Sequence, residues 1–309
     1  FLYTFINILE FEPLFRFKLR DIVPARILNT PRPRGILFFR FLCYFIVGSL
    51  NRGYMNTKQD TTIVTGGGQG IGRAIARRMA EDSNVLVVGL DQEKLKSVCL
   101  DLHNLGLNAD FVAGDVADEN TAERVASHLK QNNWSVKNLI CNAGIGKSGA
   151  VDSYGSEMWR RVFDVNVHGA FYFVKKFLPG MLERKSGNII LMSSTAGLRG
   201  FKYVAAYTAS KHALVGFAKS LAQEYGKRGI VTVPFCPGYV DTEMTTRTIR
   251  GLMERQKISE EEARAKIAKI NPQDRIIPPE EIAEMVAFVC SGKVPSLSGW
   301  PLSLSGGEV

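Results

Sequence analysis

Covalent and metal tethers are scarce in this sequence. Its five cysteines, Cys43, Cys99, Cys141, Cys236 and Cys290, are an odd number at wide spacing without a CxxC pair. That excludes a disulfide framework and a zinc ribbon, and it fits a reducing, cytoplasmic compartment. The four histidines, His103, His128, His168 and His212, show no metal-ligand spacing, so no metal is expected. Internal repeats and low-complexity tracts are also missing. No apolar run reaches the roughly 20 residues that a membrane-spanning helix needs. The longest candidate, GILFFRFLCYFIVGSL at 35–50, has sixteen residues and is interrupted by Arg40.

Methionine is absent before Met55. Residues 1–54 hold eight Lys/Arg against three Asp/Glu, whereas the other 255 residues hold 31 against 27, so most of the net charge of +9 belongs to the first segment. Nucleic-acid binding is therefore not implied for the remainder. Glu10, Glu12, Asp21 and the prolines at 31 and 33 spoil a targeting-peptide pattern. We expect residues 1–54 to be an extension outside the working protein, which would open at Met55 and occupy 55–309 as one domain.

What is present is an alternation. Short β-branched runs at 61–65, 84–90, 109–114, 138–142, 188–194, 230–236 and 301–305 are separated by helical patterns at 70–81, 92–105, 118–131, 156–184, 207–226 and 279–290. Successive βαβ units imply a Rossmann-type α/β fold with a doubly wound sheet of seven parallel strands. Near-continuous hydrophobicity along the strands requires helices on both faces. The interval 241–275 breaks the alternation. Its SEEE from Ser259 to Glu262 reads as a capping box opening a short helix, and its position suits a substrate lid.

TGGGQGIG, Thr65 to Gly72, follows the first strand and enters a helix, the context that makes a glycine pattern informative. Gly66 permits the tight turn, Gly70 lets backbone approach a pyrophosphate, and Gly72 lets helix and strand pack closely. Gln69 and Ile71, between these glycines, join the expected cofactor contacts. Asp91 ends the second strand nineteen residues after Gly72, where a carboxylate accepts hydrogen bonds from ribose hydroxyls. A 2′-phosphate about 4 Å from that carboxylate is repelled by about 4 kcal/mol at an effective dielectric of 20. That is on the order of a thousandfold in affinity. With Gln69 and Gln92 as neighbours, no compensating base stands beside Asp91 in sequence, so NAD is expected rather than NADP.

YTASK at 207–211 places a phenol and an ammonium one helical turn apart, and YFVKK at 172–176 repeats the spacing with Tyr172 and Lys176. Nine tyrosines and eighteen lysines in 309 residues predict roughly 0.5 such pairs by chance. Spacing alone does not choose between them.

From about residue 60 to 307 the sequence resembles the short-chain dehydrogenase/reductase family, whose TGxxxGxG pattern matches Thr65 to Gly72. That family carries YxxxK with a serine thirteen residues upstream. Thirteen before Tyr207 is Ser194, whereas thirteen before Tyr172 is Trp159. The resemblance implies a catalytic set of Asn166, Ser194, Tyr207 and Lys211. Tyr207 would be the general acid/base, its phenolate favoured by Lys211 and by the positive nicotinamide. Lys211 would also hold the nicotinamide ribose, Ser194 the substrate oxygen, and Asn166 a proton-relaying water.

Carried over by match, Asp115 and Val116 contact adenine, and Asn142, Ala143 and Gly144 close over the cofactor. Pro237, Gly238, Val240 and Thr242 flank the nicotinamide. Cys141 and Ser305 depart from the family's usual Asn and Asp. Tyr172 would pack on a helix that forms tetramer contacts in many members, so a homotetramer or dimer is implied.

The lid is similar to those of members acting on 3-hydroxyacyl or 3-oxoacyl thioesters. Where hydroxybutyrate dehydrogenases place His and Lys to bind a free carboxylate, this chain has Ala196 and Val204. The expected activity is therefore hydride transfer between NAD(H) and a secondary alcohol or ketone of a short-chain 3-hydroxyacyl/3-oxoacyl thioester. Alternatives are cyclic, aromatic, retinoid or steroid alcohols, free 3-hydroxybutyrate, and a non-catalytic NAD-binding regulator.

Overall fold

A computed structural model describes residues 60–309. The expectations for residues 1–54 and for a start at Met55 lie outside the described residues. The described chain folds as a seven-stranded parallel sheet in the order β3-β2-β1-β4-β5-β6-β7. The strands are β1 (Asp60–Thr65), β2 (Asn84–Gly89), β3 (Ala109–Ala113), β4 (Ser135–Cys141), β5 (Gly187–Met192), β6 (Ile230–Pro237) and β7 (Leu302–Leu304). The helices are α1 (Gly70–Ala80), α2 (Gln92–Asn104), α3 (Glu119–Gln131), α4 (Ser156–Phe163), α5 (Gly169–Glu183), α6 (Ala205–Tyr225), α7 (Glu243–Gln256), α8 (Glu260–Ala268) and α9 (Pro279–Cys290).

Ile63, Val64, Leu86, Val87, Leu139 and Ile140 are fully buried, as strands covered on both faces must be. One apolar layer joins Ile75 and Met79 of α1, Leu95 and Leu102 of α2 and Ile282 and Val286 of α9 to one face of the sheet. The other joins Val125 of α3, Phe173 and Phe177 of α5 and Leu214 and Leu221 of α6 to the opposite face. Each fully buried Leu, Ile or Phe contributes about 1.5–3 kcal/mol over leaving it exposed.

Because β1 pairs with both β2 and β4, the chain reverses its direction of winding there. The crevice beyond the carboxyl ends of β1 and β4 is where open α/β sheets bind ligands.

Two elements differ from the periodicity reading. The helix expected over 156–184 runs from Ser156 to Glu183 with a π-turn, Asp164–His168, inserted between α4 and α5. In place of one short helix, the interval 241–275 contains two, and α7 went unread. Its apolar stripe is thin, with only Thr245 and Ile249 buried. The capping box forms as expected: Ser259 Oγ accepts from the Glu262 N–H at 3.2 Å, and Glu262 Oε2 accepts from the Ser259 N–H at 2.9 Å.

Candidate active site

The glycine turn connects β1 to α1. Gly66 and Gly70 have φ of +66° and +51°, conformations that favour glycine. A Cβ at Gly72 would lie 2.2 Å from Gly66 O, so that position admits no side chain without moving the turn. α1 has no acidic residue in its first turn, and its N-cap Gln69 makes no side-chain cap hydrogen bond. Oriented N–H groups at that end therefore suit an anion such as a pyrophosphate.

The loop after β4 is fastened onto this turn. Thr65 Oγ1 accepts from the N–H groups of Asn142 and Ala143 at 3.0 and 3.1 Å. Asn142 Nδ2 donates to Thr65 O at 3.0 Å.

Gly66, Gln69, Gly70 and Ile71 line one cleft. Further along it stand Asp91, Asp115, Val116, Asn142, Ala143 and Gly144, and then Tyr207, Lys211 and Thr242. Asp91 caps α2, its Oδ1 accepting from the Lys94 N–H at 3.1 Å. Asp115 accepts from the Ala117 N–H at 3.0 Å and pairs with Arg161 at 2.6 Å, which fixes its carboxylate. Pro237, Gly238 and Val240, like Ser194 and Asn166, are not among the residues lining this cleft. Pro237 ends β6, a Cβ at Gly238 would meet Glu308 and Ser305, and buried Val240 bridges to Ile277.

Ser194 follows β5 and caps a short 3-10 turn, accepting from the Ala196 N–H at 3.1 Å. Tyr207 and Lys211 lie one turn apart on α6, with Lys211 Nζ 5.4 Å from the Tyr207 ring centroid. Lys211 is 3% exposed and donates to Met192 O at 2.6 Å. Burial lowers this ammonium to about 8. Burial pushes the Tyr207 phenol up to about 12, while a side-chain hydrogen bond with Ser194 acts the other way. Without a cofactor, desolvation is the largest influence on this phenol.

Asn166 sits in the π-turn. Its Oδ1 accepts from the Ile145 N–H at 2.8 Å, and its Nδ2 donates to Ile145 O at 3.0 Å and Ser210 Oγ at 2.9 Å. A Cβ at Gly144 would meet Lys211 Nζ at 3.3 Å and Asn166 Oδ1 at 3.4 Å, so a bare backbone there lets these two groups approach one another.

The twin pair does not form such a site. Lys176 is bound to Glu123 at 2.5 Å, and the Tyr172 ring lies 6.4 Å from that of His168.

The family model for short chain dehydrogenases matches residues 60–252. The chain belongs to that family. A 3-oxoacyl-[acyl-carrier-protein] reductase of Vibrio cholerae is 30% identical over 253 residues, covering 82% of this chain and 98% of the relative. A 2-(S)-hydroxypropyl-CoM dehydrogenase of Xanthobacter autotrophicus is 34% identical over 251 residues, covering 81% and 96%. Among solved structures, a variant of actinorhodin polyketide ketoreductase with NADPH superposes with a TM-score of 0.78 at 33% identity, covering 81% of this chain and 97% of the other. As a short-chain dehydrogenase the protein is an oxidoreductase that interconverts secondary alcohols and ketones with a nicotinamide cofactor.

Sequence reasoning missed part of this dehydrogenase's cleft. Lys94, Arg161, Glu243 and Arg247 also line it. Lys94 Nζ donates to Gln69 Oε1 at 2.5 Å and to Glu243 Oε1 at 2.9 Å. A base therefore does stand near Asp91, three residues on, where the first turn of α2 brings it back to the glycine turn. Helical periodicity from the N-cap carried that signal.

No helix among the described residues is long and apolar enough to cross a membrane. Nor does any group of three His, Cys, Asp or Glu among them suit a metal ion.

Proposed function

We propose that this dehydrogenase uses NAD(H) and acts on a short-chain 3-hydroxyacyl or 3-oxoacyl thioester. The reading of the chemistry is carried by one observation: Tyr207, with Lys211 Nζ 5.4 Å from its ring centroid, lines the same cleft as the glycine turn. Bound NAD(H) would supply the hydride acceptor or donor and, when oxidised, a positive ring that opposes the effect of burial on the phenol. The residues around the glycine turn fit its pyrophosphate, and Asp91 fits a ribose with a free 2′-hydroxyl.

Tyr207 is the general acid/base. Its own surroundings keep it protonated, the state that donates a proton to a ketone oxygen. Ser194 donates to the substrate oxygen as negative charge develops there. Lys211 would hold the ribose hydroxyls of the bound cofactor. Asn166, fixed by Ile145 and Ser210, orients a water that returns protons from solvent to Lys211.

Support for a thioester comes from the walls. Ala196 is buried and Val204 opens α6, so neither offers a cation to a free carboxylate. The acyl-carrier-protein substrate named for the Vibrio cholerae relative agrees with this. We propose that the working protein is the 55–309 domain, cytoplasmic and homo-oligomeric, assembled through the outer faces of α5 and α6.

Steady-state assays with NAD(H) and NADP(H) on a panel of acyl thioesters, free 3-hydroxy acids and cyclic alcohols test the reading. We expect kcat/KM to be highest with NAD(H) and a C4 to C8 thioester. Turnover confined to free or cyclic alcohols contradicts the substrate, and a preference for NADP(H) contradicts the cofactor.

A further inference from the structure

Lys94 projects from the first turn of α2 toward the glycine turn. It is anchored at its backbone by Asp91 and at its ammonium by Gln69 and Glu243. Glu243 is the first residue of lid helix α7, 149 residues along the chain. The pair spans the mouth of the cleft, and both side chains keep access to solvent, 41% for Lys94 and 57% for Glu243.

The charged groups facing this corner are Asp91, Lys94, Glu243 and Arg247. Arg247 is drawn back along α7, its Nε donating to Glu243 O at 3.3 Å. Asp91 and Lys94 leave the same helical turn with opposite charges. The anion disfavours a 2′-phosphate on the adenosine ribose, and the cation would favour one.

We infer that Glu243 is a specificity-determining residue for the cofactor: it holds the Lys94 ammonium on the lid and so leaves the Asp91 carboxylate unopposed at the ribose. The inference rests on the NAD reading above and deepens it. The carboxylate of Glu243 and a 2′-phosphate compete for one cation. Counting Arg247, the four charges sum to zero while Glu243 holds Lys94, and to +1 without the Glu243 charge, when Lys94 is available as a phosphate ligand. Gln69, the other partner of Lys94, is a neutral acceptor and a weaker competitor than a carboxylate.

Because these groups are partly exposed and within about one Debye length of bulk salt, the expected effect is about tenfold rather than the full charge–charge value. The test is equilibrium binding by calorimetry of adenosine 2′,5′-bisphosphate and of AMP, and of NADP and NAD, to wild type, Glu243→Gln and the double variant Lys94→Met/Glu243→Gln. Glu243→Gln should tighten the bisphosphate about tenfold relative to AMP, and NADP relative to NAD by a similar factor. The double variant should lose that gain, and the gain should shrink in high salt.

A ratio within twofold of wild type overturns the inference, including the case in which Glu243→Gln weakens both ligands alike. So does a gain that persists without Lys94. If wild type itself binds NADP more tightly than NAD, the cofactor reading above fails. The ratio between Glu243→Gln and wild type still decides whether Glu243 restrains Lys94.

Discussion

Lys211 is held in a place that costs the fold energy. Its Nζ is buried and lowered to about 8 from the ordinary 10.5, with Met192 O its hydrogen-bond acceptor. Between pH 8 and 10.5 the unfolded chain binds this proton and the folded chain does not, so stability from this site rises with pH through that window. Below pH 8 both states are protonated and the burial cost is fully present, on the order of 3 kcal/mol. Lys211→Met removes that cost and leaves the Met192 carbonyl without its donor, a loss of about 1 kcal/mol. The variant should therefore melt about 5 °C above wild type at pH 7 by calorimetry, with the gap closing by pH 10. Turnover should fall below about 1% of wild type. A variant less stable than wild type at pH 7 would contradict the burial argument.

At the same scale, the residues most legible in the sequence were those bound by backbone geometry. Gly66 and Gly72 had to be glycine because of a positive φ and a close approach. The least legible was the pairing of Lys94 with Glu243, since no local pattern joins residues 149 apart.

Among the elements, the π-turn between α4 and α5 was hidden because DVNVHG carries no breaker and helical periodicity runs through it. That bulge lies where Asn166 reaches Ile145 and Ser210, in keeping with the frequency of π-turns at functional sites. Pro179, by contrast, lies inside α5 without ending it. α7 escaped notice because a helix open to solvent buries little and leaves little apolar stripe, while the Ser259 capping box announced α8 from four residues.

The outer faces of α5 and α6 carry aromatic groups toward solvent. Phe171 is 44% exposed, and its ring lies 6.4 Å from that of Phe217. Exposed aromatic pairs of this kind suit an interface between copies of the chain. On the proposed assembly through this face, Phe171→Asp should give a smaller species than wild type by light scattering after gel filtration. An unchanged mass would remove this face from the assembly.

Across the molecule, seven hydrophobic runs separated by helical patterns were enough to give the parallel sheet. Strand order followed only from the structure, since β1 flanked by β2 and β4 is a pairing between distant segments. That reversal creates the crevice to which the glycine turn, the β4 loop, the end of β5 and the first turns of α6 each bring one part of the site. The net charge of +9 misleads as a whole-chain figure, because most of it lies in residues 1–54. The central claim is that Tyr207 exchanges a proton with the substrate oxygen while the cofactor site is built independently by the glycine turn. Its most direct test is the Tyr207→Phe variant, with kcat and NAD dissociation constant measured on the same preparation. The account predicts a fall in kcat of about a thousandfold with NAD affinity within about threefold of wild type. A kcat close to that of wild type would contradict it.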